Sequence, residues 1–193
     1  MKLLHIDSSI FADDSASRAL TREIVSRWQE ALPGTEVRYR DLAAEPLPHL
    51  THAAFTRADE LEATRNDAVV DEFLAADVIV LGAPMYNFSL PSQLKAWIDR
   101  ISVAGKTFRY TASGPRGLAG GKRVIVAISR GGVYPPGHPG EFAESYLRFL
   151  FGFLGITDVT FVRAEGLSVS PEQRQAAISA ARASIALPEA LAA

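Results

Sequence analysis

The chain has 193 residues, of which 48% are hydrophobic and 22% charged, as expected for one globular domain spanning residues 1–193 with a sizeable core. Its formal net charge of −2 gives no reason to expect nucleic acid or an anionic membrane as a partner. Cysteine is absent, which excludes disulfides, thiol nucleophiles and thiolate metal sites, so any redox activity needs a bound cofactor. No apolar run approaches the roughly 18 residues of a membrane span, and Asp7 comes too early for a signal-peptide core, so we expect a cytoplasmic protein.

Strands and helices alternate along the chain. Apolar runs predict strands at residues 3–7, 36–41, 78–83, 123–129 and 158–162. Helical spacing of apolar residues predicts helices at residues 17–32, 60–75, from 92 onwards, 141–155 and 171–186. Two segments, 42–62 and 103–121, have no firm assignment, although residues 107–110 look extended. Five strands alternating with five helices predict an α/β fold with a doubly wound parallel sheet.

Ligands of such sheets bind beyond the carboxyl ends of the strands, so the loops after strands one, three and four are the first places to look. The first loop carries Ser9, Ser15 and Ser17 and leads into a helix N-terminus, where free N–H groups favour an anion. Three hydroxyl groups at this place suit a phosphate monoester. The alternative is that Ser15 or Ser17 is an ordinary N-cap.

Two charged residues border this loop. Arg18 is a cation in the first turn of the helix, where it opposes the helix dipole. We expect it to pair with Asp13 or Asp14, or to lie near the phosphate. Asp7 ends the first strand and could accept hydrogen bonds from the loop backbone.

The second loop, residues 82–91, is bracketed by prolines that stiffen its backbone. Between the prolines, Met85, Tyr86 and Phe88 provide flat apolar surface around the amide of Asn87. This combination suits a planar heteroaromatic ligand. The alternative is that the aromatic side chains only cover the core.

The third loop, residues 129–132, contains Gly131 and Gly132, which let a backbone approach a ligand closely. The N–H groups of such a turn would stabilise a ligand that gains negative charge on reduction. An ordinary Gly-Gly turn is the alternative. A phosphate site beside a ring site, at one edge of one sheet, nevertheless suits flavin mononucleotide (FMN).

Other chemistry has weaker support. No G-x-G-x-x-G follows the first strand, which argues against a Rossmann dinucleotide site, and residues 117–123 have the wrong spacing for a P-loop and predict a turn. His5 is expected to be a core residue. His49 and His52 lack a third ligand at a recognisable spacing, so we expect no metal site. His138 is expected to be a solvated loop residue beside the pocket.

Three motifs resemble those of the FMN-dependent azoreductases, which are flavodoxin-like NAD(P)H:quinone oxidoreductases: Ser8-Ser9 with Ser15-Ala16-Ser17-Arg18, Pro84-Met85-Tyr86-Asn87-Phe88, and Ser129-Arg130-Gly131-Gly132. The likeness runs nearly end to end and includes residues 95–100, 107–110 and 155–159. It implies a five-stranded sheet in the order 2-1-3-4-5 with helices on both faces.

The resemblance also implies site residues and partners. Ser9, Ser15, Ala16 and Ser17 would hold the FMN phosphate, and NADH or NADPH would be the electron donor for quinones and azo compounds. The isoalloxazine ring would contact Met85, Tyr86, Asn87, Phe88, Ser129, Arg130, Gly131 and Gly132. Members of the family are homodimers with sites at the interface, where Phe153 would be the aromatic residue from the partner and Tyr110 would flank the site. No protein acid or base is obligatory.

The helix at 141–155 also indicates a dimer. Phe142, Tyr146, Phe149, Leu150 and Phe153 are expected to form its core-facing stripe, with Leu147, Phe151 and Leu154 off that stripe. A helix that is apolar almost all round is buried on more than one side; full burial within one chain is the alternative.

Two further observations concern function. Residues 133–140 are unusually proline-rich and should border the substrate pocket, so acceptor preference does not carry over from the family. The competing functions are a flavodoxin-type electron carrier without small-molecule turnover and a receiver-like phosphate-sensing module. A net charge of −2 argues against the carrier, because carriers that rely on steered docking tend to be strongly acidic.

Overall fold

The structure is a computed structural model that describes residues 1–135 and 137–188. A parallel sheet contains β1 (Lys2–Asp7), β2 (Glu36–Asp41), β3 (Val78–Pro84), β6 (Arg123–Ser129) and β7 (Asp158–Ala164). Its strand order is β2-β1-β3-β6-β7. This confirms the predicted order 2-1-3-4-5, because β6 and β7 are the fourth and fifth predicted strands. A separate antiparallel hairpin consists of β4 (Phe108–Thr111) and β5 (Gly114–Gly117).

Helices cover both faces of the sheet, as predicted. They are α1 (Ala16–Ala31), α2 (His52–Phe55), α3 (Glu60–Ala75), α4 (Ser92–Ile101), α5 (Ala143–Phe153) and α6 (Pro171–Ala183), and a 3-10 turn spans Ala12–Asp14. One core cluster packs α1 and α6 against the sheet, for example through Leu20, Ile24 and Ala181. The other packs α3, α4 and α5 on the opposite face, for example through Phe73, Trp97 and Phe151.

Most predicted boundaries lie within three residues of the observed ones. Helix α1 begins one residue earlier than predicted, α5 is shorter at both ends, β7 is two residues longer, and α6 ends at Ala183 instead of residue 186. The unassigned segments contain α2 and the β4–β5 hairpin. None of the helices in the described residues combines the length and the apolar content needed to cross a bilayer.

The hairpin is held against the end of α5 by a glycine contact. A Cβ on Gly117 would lie 2.1 Å from the backbone nitrogen of Gly155, so no larger residue fits there without moving the chain. Gly155 itself has a φ of 91°, which favours glycine. Residues 117–123 therefore form the predicted turn between β5 and β6, and this turn packs against the end of α5.

The predicted orientation of α5 was wrong. The buried residues are Ala143, Leu147, Leu150 and Phe151, whereas Phe142 and Phe149 are 57% and 75% exposed. The helix is thus rotated by roughly one residue relative to the prediction. Its sequence is apolar almost all round, so periodicity alone does not select which face meets the sheet.

Candidate functional site

A cleft of about 430 Å³ opens at the carboxyl edge of the sheet, above β1, β3 and β6. It brings together eight of the predicted site residues: Ser9, Ser15, Ala16, Met85, Tyr86, Ser129, Arg130 and Gly131. The other four predicted site residues are neighbours of these in the chain but do not line the cleft: Ser17, Asn87, Phe88 and Gly132. The three predicted loops therefore meet at one place.

One end of the cleft is formed by the loop from β1 to α1, which we call the phosphate loop (residues 8–17). Ser15 is the N-cap of α1, and its hydroxyl accepts a hydrogen bond from the backbone N–H of Arg18 at 3.3 Å. The Ser15 and Ser17 hydroxyl oxygens are 3.1 Å apart, and both side chains are buried. The backbone N–H groups of Ala16 and Ser17 have no acceptor within the described residues. Ser15 is thus a cap, and the helix still presents free donors.

Arg18 holds the phosphate loop from below. Its guanidinium donates two hydrogen bonds to the carbonyl of Ser9, at 2.7 and 3.2 Å, and two to the carboxylate of Asp41, at 2.6 and 2.7 Å. The hydrogen bonds from Arg18 hold the pKa of Asp41 below its usual value. The expected pairing with Asp13 or Asp14 is wrong, because Asp13 pairs with Arg22 and the partner of Arg18 comes from β2.

Asp7 is fully buried beneath the same loop. Its carboxylate accepts hydrogen bonds from the Thr21 hydroxyl at 2.8 Å and from the Tyr39 hydroxyl at 3.1 Å, so the expected contact with the loop backbone is not the one it makes. Burial and the neighbouring carboxylates raise the pKa of Tyr39 to about 12. A Cβ on Gly82 would lie 2.8 Å from Asp7 Oδ1, so glycine is required there. His5 is buried, as predicted.

The other end of the cleft is formed by residues 84–91, which we call the ring loop. Tyr86 and Ser89 exchange two backbone hydrogen bonds at 2.9 and 3.0 Å around Asn87 and Phe88. The latter two have φ angles of 49° and 67°, which makes this a type I′ turn. Asparagine tolerates this conformation, whereas phenylalanine adopts it rarely. Strained backbone of this kind concentrates at functional sites.

Tyr86 connects the two ends of the cleft. Its hydroxyl lies 3.2 Å from the Ser9 hydroxyl and accepts a hydrogen bond from the backbone N–H of Ile10, also at 3.2 Å. The Tyr86 ring also packs edge-on against Phe11. The ring loop and the phosphate loop are therefore fixed relative to each other by one side chain.

The third wall of the cleft is the Gly-Gly loop, residues 129–132. The carbonyls of Arg130, Gly131 and Gly132 accept hydrogen bonds from residues 166–168, which follow β7. The N–H groups of Gly131 and Gly132 have no acceptor within the described residues. The carbonyl groups of the loop are therefore occupied, whereas the N–H groups of Gly131 and Gly132 can donate hydrogen bonds to an electron-rich edge of a ligand.

Arg130 supports this loop from behind. Its guanidinium is 1% exposed and donates to Glu141 and Glu165, each at 2.7 Å. Glu141 in turn accepts from the backbone N–H groups of Glu144 and Ser145, and Glu165 accepts from that of Tyr134. The two terminal nitrogens of Arg130 are thus engaged by carboxylates, and its backbone N–H donates to the carbonyl of Ala164, so Arg130 supports the loop through contacts within the protein.

An aromatic cluster forms where the proline-rich segment meets the ring loop. The Tyr134 ring lies 6.4 Å from Phe88 and 5.1 Å from His138 between centroids. A Cβ on Gly132 would meet the Tyr134 ring at 3.2 Å. His138 is exposed, as predicted. The segment predicted to border the substrate pocket therefore packs on both the ring loop and the Gly-Gly loop.

Two predicted site residues lie away from the cleft of their own chain. Tyr110, on the hairpin, is 76% exposed. Phe153 is half-buried at the end of α5 and packs on Phe108 with ring centroids 4.6 Å apart. Neither of them lines the cleft.

The sequence did not predict the wall formed after β7. Leu167 and Ser168 line the cleft, as does Arg174 from the beginning of α6. The phosphate loop adds Phe11 and Asp14. The carboxyl end of the fifth strand lies at the same edge of the sheet as the phosphate loop, the ring loop and the Gly-Gly loop. The rule that ligands bind beyond the carboxyl ends of parallel strands therefore also points to this wall.

A second cleft, of about 490 Å³, lies at the opposite edge of the sheet between β2 and α3. Its lining includes Arg38 and Glu72, which form an ion pair at 2.8 Å. It contains none of the predicted site residues. The described residues also contain no group of three or more His, Cys, Asp or Glu side chains that could hold a metal ion.

The residues present fit FMN. A phosphate monoester needs several donors at one point, which the Ser9 and Ser15 hydroxyls and the free N–H groups of α1 provide. A flat ring needs apolar walls and donors for its polar edge, which Met85, Tyr86 and the N–H groups of the Gly-Gly loop provide. The cleft is continuous between the two.

Comparison with known proteins defines the class first. A family profile described as "Flavodoxin-like fold" matches residues 1–187. The chain is 54% identical over 185 residues to an FMN-dependent NADH:quinone oxidoreductase of Stenotrophomonas maltophilia, covering 96% of this chain and 94% of that protein. It belongs to this flavodoxin-like family of FMN-dependent NADH:quinone oxidoreductases and azoreductases.

Solved structures agree. An azoreductase from Bacillus anthracis strain Sterne superposes with a TM-score of 0.86 at 32% identity, covering 96% of each chain. An FMN-dependent NADH-azoreductase from Bacillus anthracis strain Ames Ancestor, solved in complex with FMN, gives 0.84 at 25% identity, covering 96% of this chain and 98% of that one.

Proposed function

We propose that this protein is an FMN-dependent NADH:quinone oxidoreductase that also reduces azo compounds. One observation carries the proposal: the phosphate loop, the ring loop and the Gly-Gly loop line one continuous cleft in a chain whose relatives bear this name. When bound, FMN supplies the redox chemistry by accepting a hydride from NADH or NADPH and passing the electrons to the acceptor.

Each part of the cleft has a distinct task in this reaction. The hydroxyls of Ser9, Ser15 and Ser17 and the N-terminus of α1 bind the phosphate. Met85, Tyr86 and Phe88 hold the ring and exclude water from one side, while Asn87 is available to orient the ring or the acceptor. The N–H groups of Gly131 and Gly132 stabilise negative charge at the polar edge of the ring. No side chain has to carry a proton.

We further propose that the single domain acts as a homodimer. Residues Phe142, Ser145, Phe149 and Gly152 share one face of α5, and the two phenylalanines on it are 57% and 75% exposed. A Cβ on Gly152 would meet nothing within 4 Å, so a second chain could approach closely there. In such a dimer, Phe153 and Tyr110 would reach the site of the partner subunit. An exposed aromatic face of this kind is typical of an interface.

The competing function is electron transfer between proteins, as in a flavodoxin. The two are separated by measuring NADH consumption by the purified protein with a quinone or an azo dye and no partner protein. The proposal predicts alternating use of both substrates through one cavity, and therefore parallel double-reciprocal plots. Flavin-loaded protein that does not oxidise NADH would favour the carrier. The cytoplasmic location stays a prediction, which cell fractionation tests.

A further inference from the structure

Three arginines lie around the cleft. Arg18 lies beneath the phosphate loop and is paired with Asp41. Arg130 lies behind the Gly-Gly loop and is paired with Glu141 and Glu165. Arg174 lines the cleft from α6 and forms no ion pair with any carboxylate in the described residues. Of these three arginines, Arg174 is therefore the one whose charge is not paired with a carboxylate among the described residues.

The position of Arg174 is fixed by the phosphate loop. Its guanidinium donates a hydrogen bond at 3.0 Å to the backbone carbonyl of Asp14, the residue before the N-cap of α1. That bond occupies one of the five N–H donors of the guanidinium. The side chain is half-buried, with the others left for a further acceptor. The guanidinium is thus held at the residue that precedes the N-cap of α1.

The carboxylate of Asp14 makes a nearby cation favourable for binding a phosphate in the cleft. Asp14 also lines the cleft, is exposed and has no ion-pair partner in the described residues. A phosphate dianion bound at Ser15 would be close to this carboxylate and would be repelled by it. Arg174 lies near the N-terminus of α6, where a cation opposes the helix dipole, so its charge does not serve the helix that carries it.

We propose that Arg174 is a binding residue for the phosphate group of FMN and offsets the charge of Asp14. This inference rests on the proposed function and adds to it a residue from the first turns of α6. Arg174 supplies charge and hydrogen bonds to the phosphate, while the serines and the N-terminus of α1 supply neutral donors. Riboflavin, which has the same ring but no phosphate, should not depend on it.

The test compares the affinities of the apo-protein for FMN and for riboflavin, measured by quenching of flavin fluorescence. Arg174→Gln should raise the Kd for FMN by about tenfold to hundredfold, because hydrogen bonds to charged groups are strong, and should change the Kd for riboflavin by less than about twofold. It should also weaken the dependence of FMN affinity on salt. Asp14→Asn should lower the Kd for FMN by a few-fold, which is the opposite direction.

Arg182→Gln is the matched control, since it removes an equal charge from the same helix about 12 Å further along its axis. It should leave both affinities unchanged. Equal losses for FMN and riboflavin in Arg174→Gln, or an effect no larger than that of Arg182→Gln, would overturn the inference. A change confined to the KM for NADPH relative to NADH would also overturn it, by assigning Arg174 to the nucleotide phosphate. Wild-type protein that binds neither flavin would reject the proposed function itself.

Discussion

The two ends of the cleft differ in the contacts that hold them and in how much apolar surface they expose. The phosphate loop rests on buried polar groups that satisfy one another within the chain, with Arg18 joining Ser9 to Asp41. The ring loop has positive φ angles at Asn87 and Phe88, and the Phe88 side chain is 55% exposed. The phosphate end is thus complete in one chain, whereas the ring end leaves apolar surface that a ligand and a second chain can cover. Binding of FMN and turnover should therefore respond to different substitutions.

The largest effect is expected at the phosphate end. Arg18→Gln leaves Asp41 and the carbonyl of Ser9 without their partner and should lower the free energy of unfolding by about 3 kcal/mol, because breaking a mostly buried ion pair strands a charge. The affinity of the apo-protein for FMN should fall with it. Chemical denaturation and flavin titration measure the two quantities.

Arg22→Gln provides the control for Arg18. It breaks an ion pair with Asp13 on the same helix, but both side chains are exposed, at 55% and 92%. An exposed pair of this kind contributes little, about 0–1 kcal/mol. If Arg18→Gln and Arg22→Gln lost equal stability, the role of Arg18 in holding the phosphate loop would be wrong.

The next effect concerns the dimer and the ring end. Phe149→Arg places a charge on the exposed face of α5 and should give a monomer, as measured by sedimentation. Turnover with a quinone should fall about tenfold, since the site then lacks the aromatic residues of the partner that position the acceptor. FMN affinity should change far less, because the phosphate end is complete in one chain.

Phe55→Arg is the matched control for the dimer, since Phe55 on α2 is also 75% exposed. It should remain dimeric and active. A Phe149→Arg variant that stays dimeric would remove α5 from the interface, and a monomer with unchanged turnover would remove the partner from the site.

A smaller effect separates the Asn87 side chain from its backbone. Asn87→Ala removes the amide and also places alanine at a φ of 49°, which should cost about 1 kcal/mol of stability. Asn87→Gly removes the amide without that strain. If the amide orients ring or acceptor, both variants should lower kcat by a similar factor while leaving the Kd for FMN nearly unchanged. A loss of kcat in the alanine variant alone would mean that only the turn matters.

The smallest effect is a pH dependence. The pKa of Asp41 is held below its ordinary value of 3.8 by the hydrogen bonds from Arg18, so its contribution to stability is present above that value and is lost as the pH falls through the folded-state pKa. Asp41→Asn should therefore lose stability at neutral pH and show a flatter acid limb in a plot of unfolding free energy against pH. An acid limb as steep as that of the wild type would assign the titration to other carboxylates.

The alternation of strands and helices and the positions of the three loops could be predicted from local signals, whereas the strand order followed from the resemblance to the azoreductase family. Apolar runs and helical spacing locate the strands and helices, and the rule for parallel sheets then brings Ser15, Tyr86 and Gly131 to one edge. Ser15 could be predicted both as a cap and as a phosphate donor, and its position is compatible with the two roles together.

The sequence alone does not determine which of several chemically similar residues a side chain contacts in the fold. Arg18 has Asp13 and Asp14 nearby in the chain, but its partner is Asp41, which β2 brings into reach through parallel pairing with β1. The face of α5 that meets the sheet was assigned wrongly because both faces are apolar. Arg174 could not be predicted from the sequence, because its position in the cleft beside Asp14, without an ion-pair partner among the described residues, is a property of the fold.

The most direct test of the account is the absorption spectrum of the purified protein, loaded with FMN and titrated with NADH without oxygen. The bound flavin spectrum should be bleached by NADH and restored by a quinone in the absence of any partner protein. A protein that does not take up FMN, or a bound flavin that NADH leaves oxidised, would contradict it.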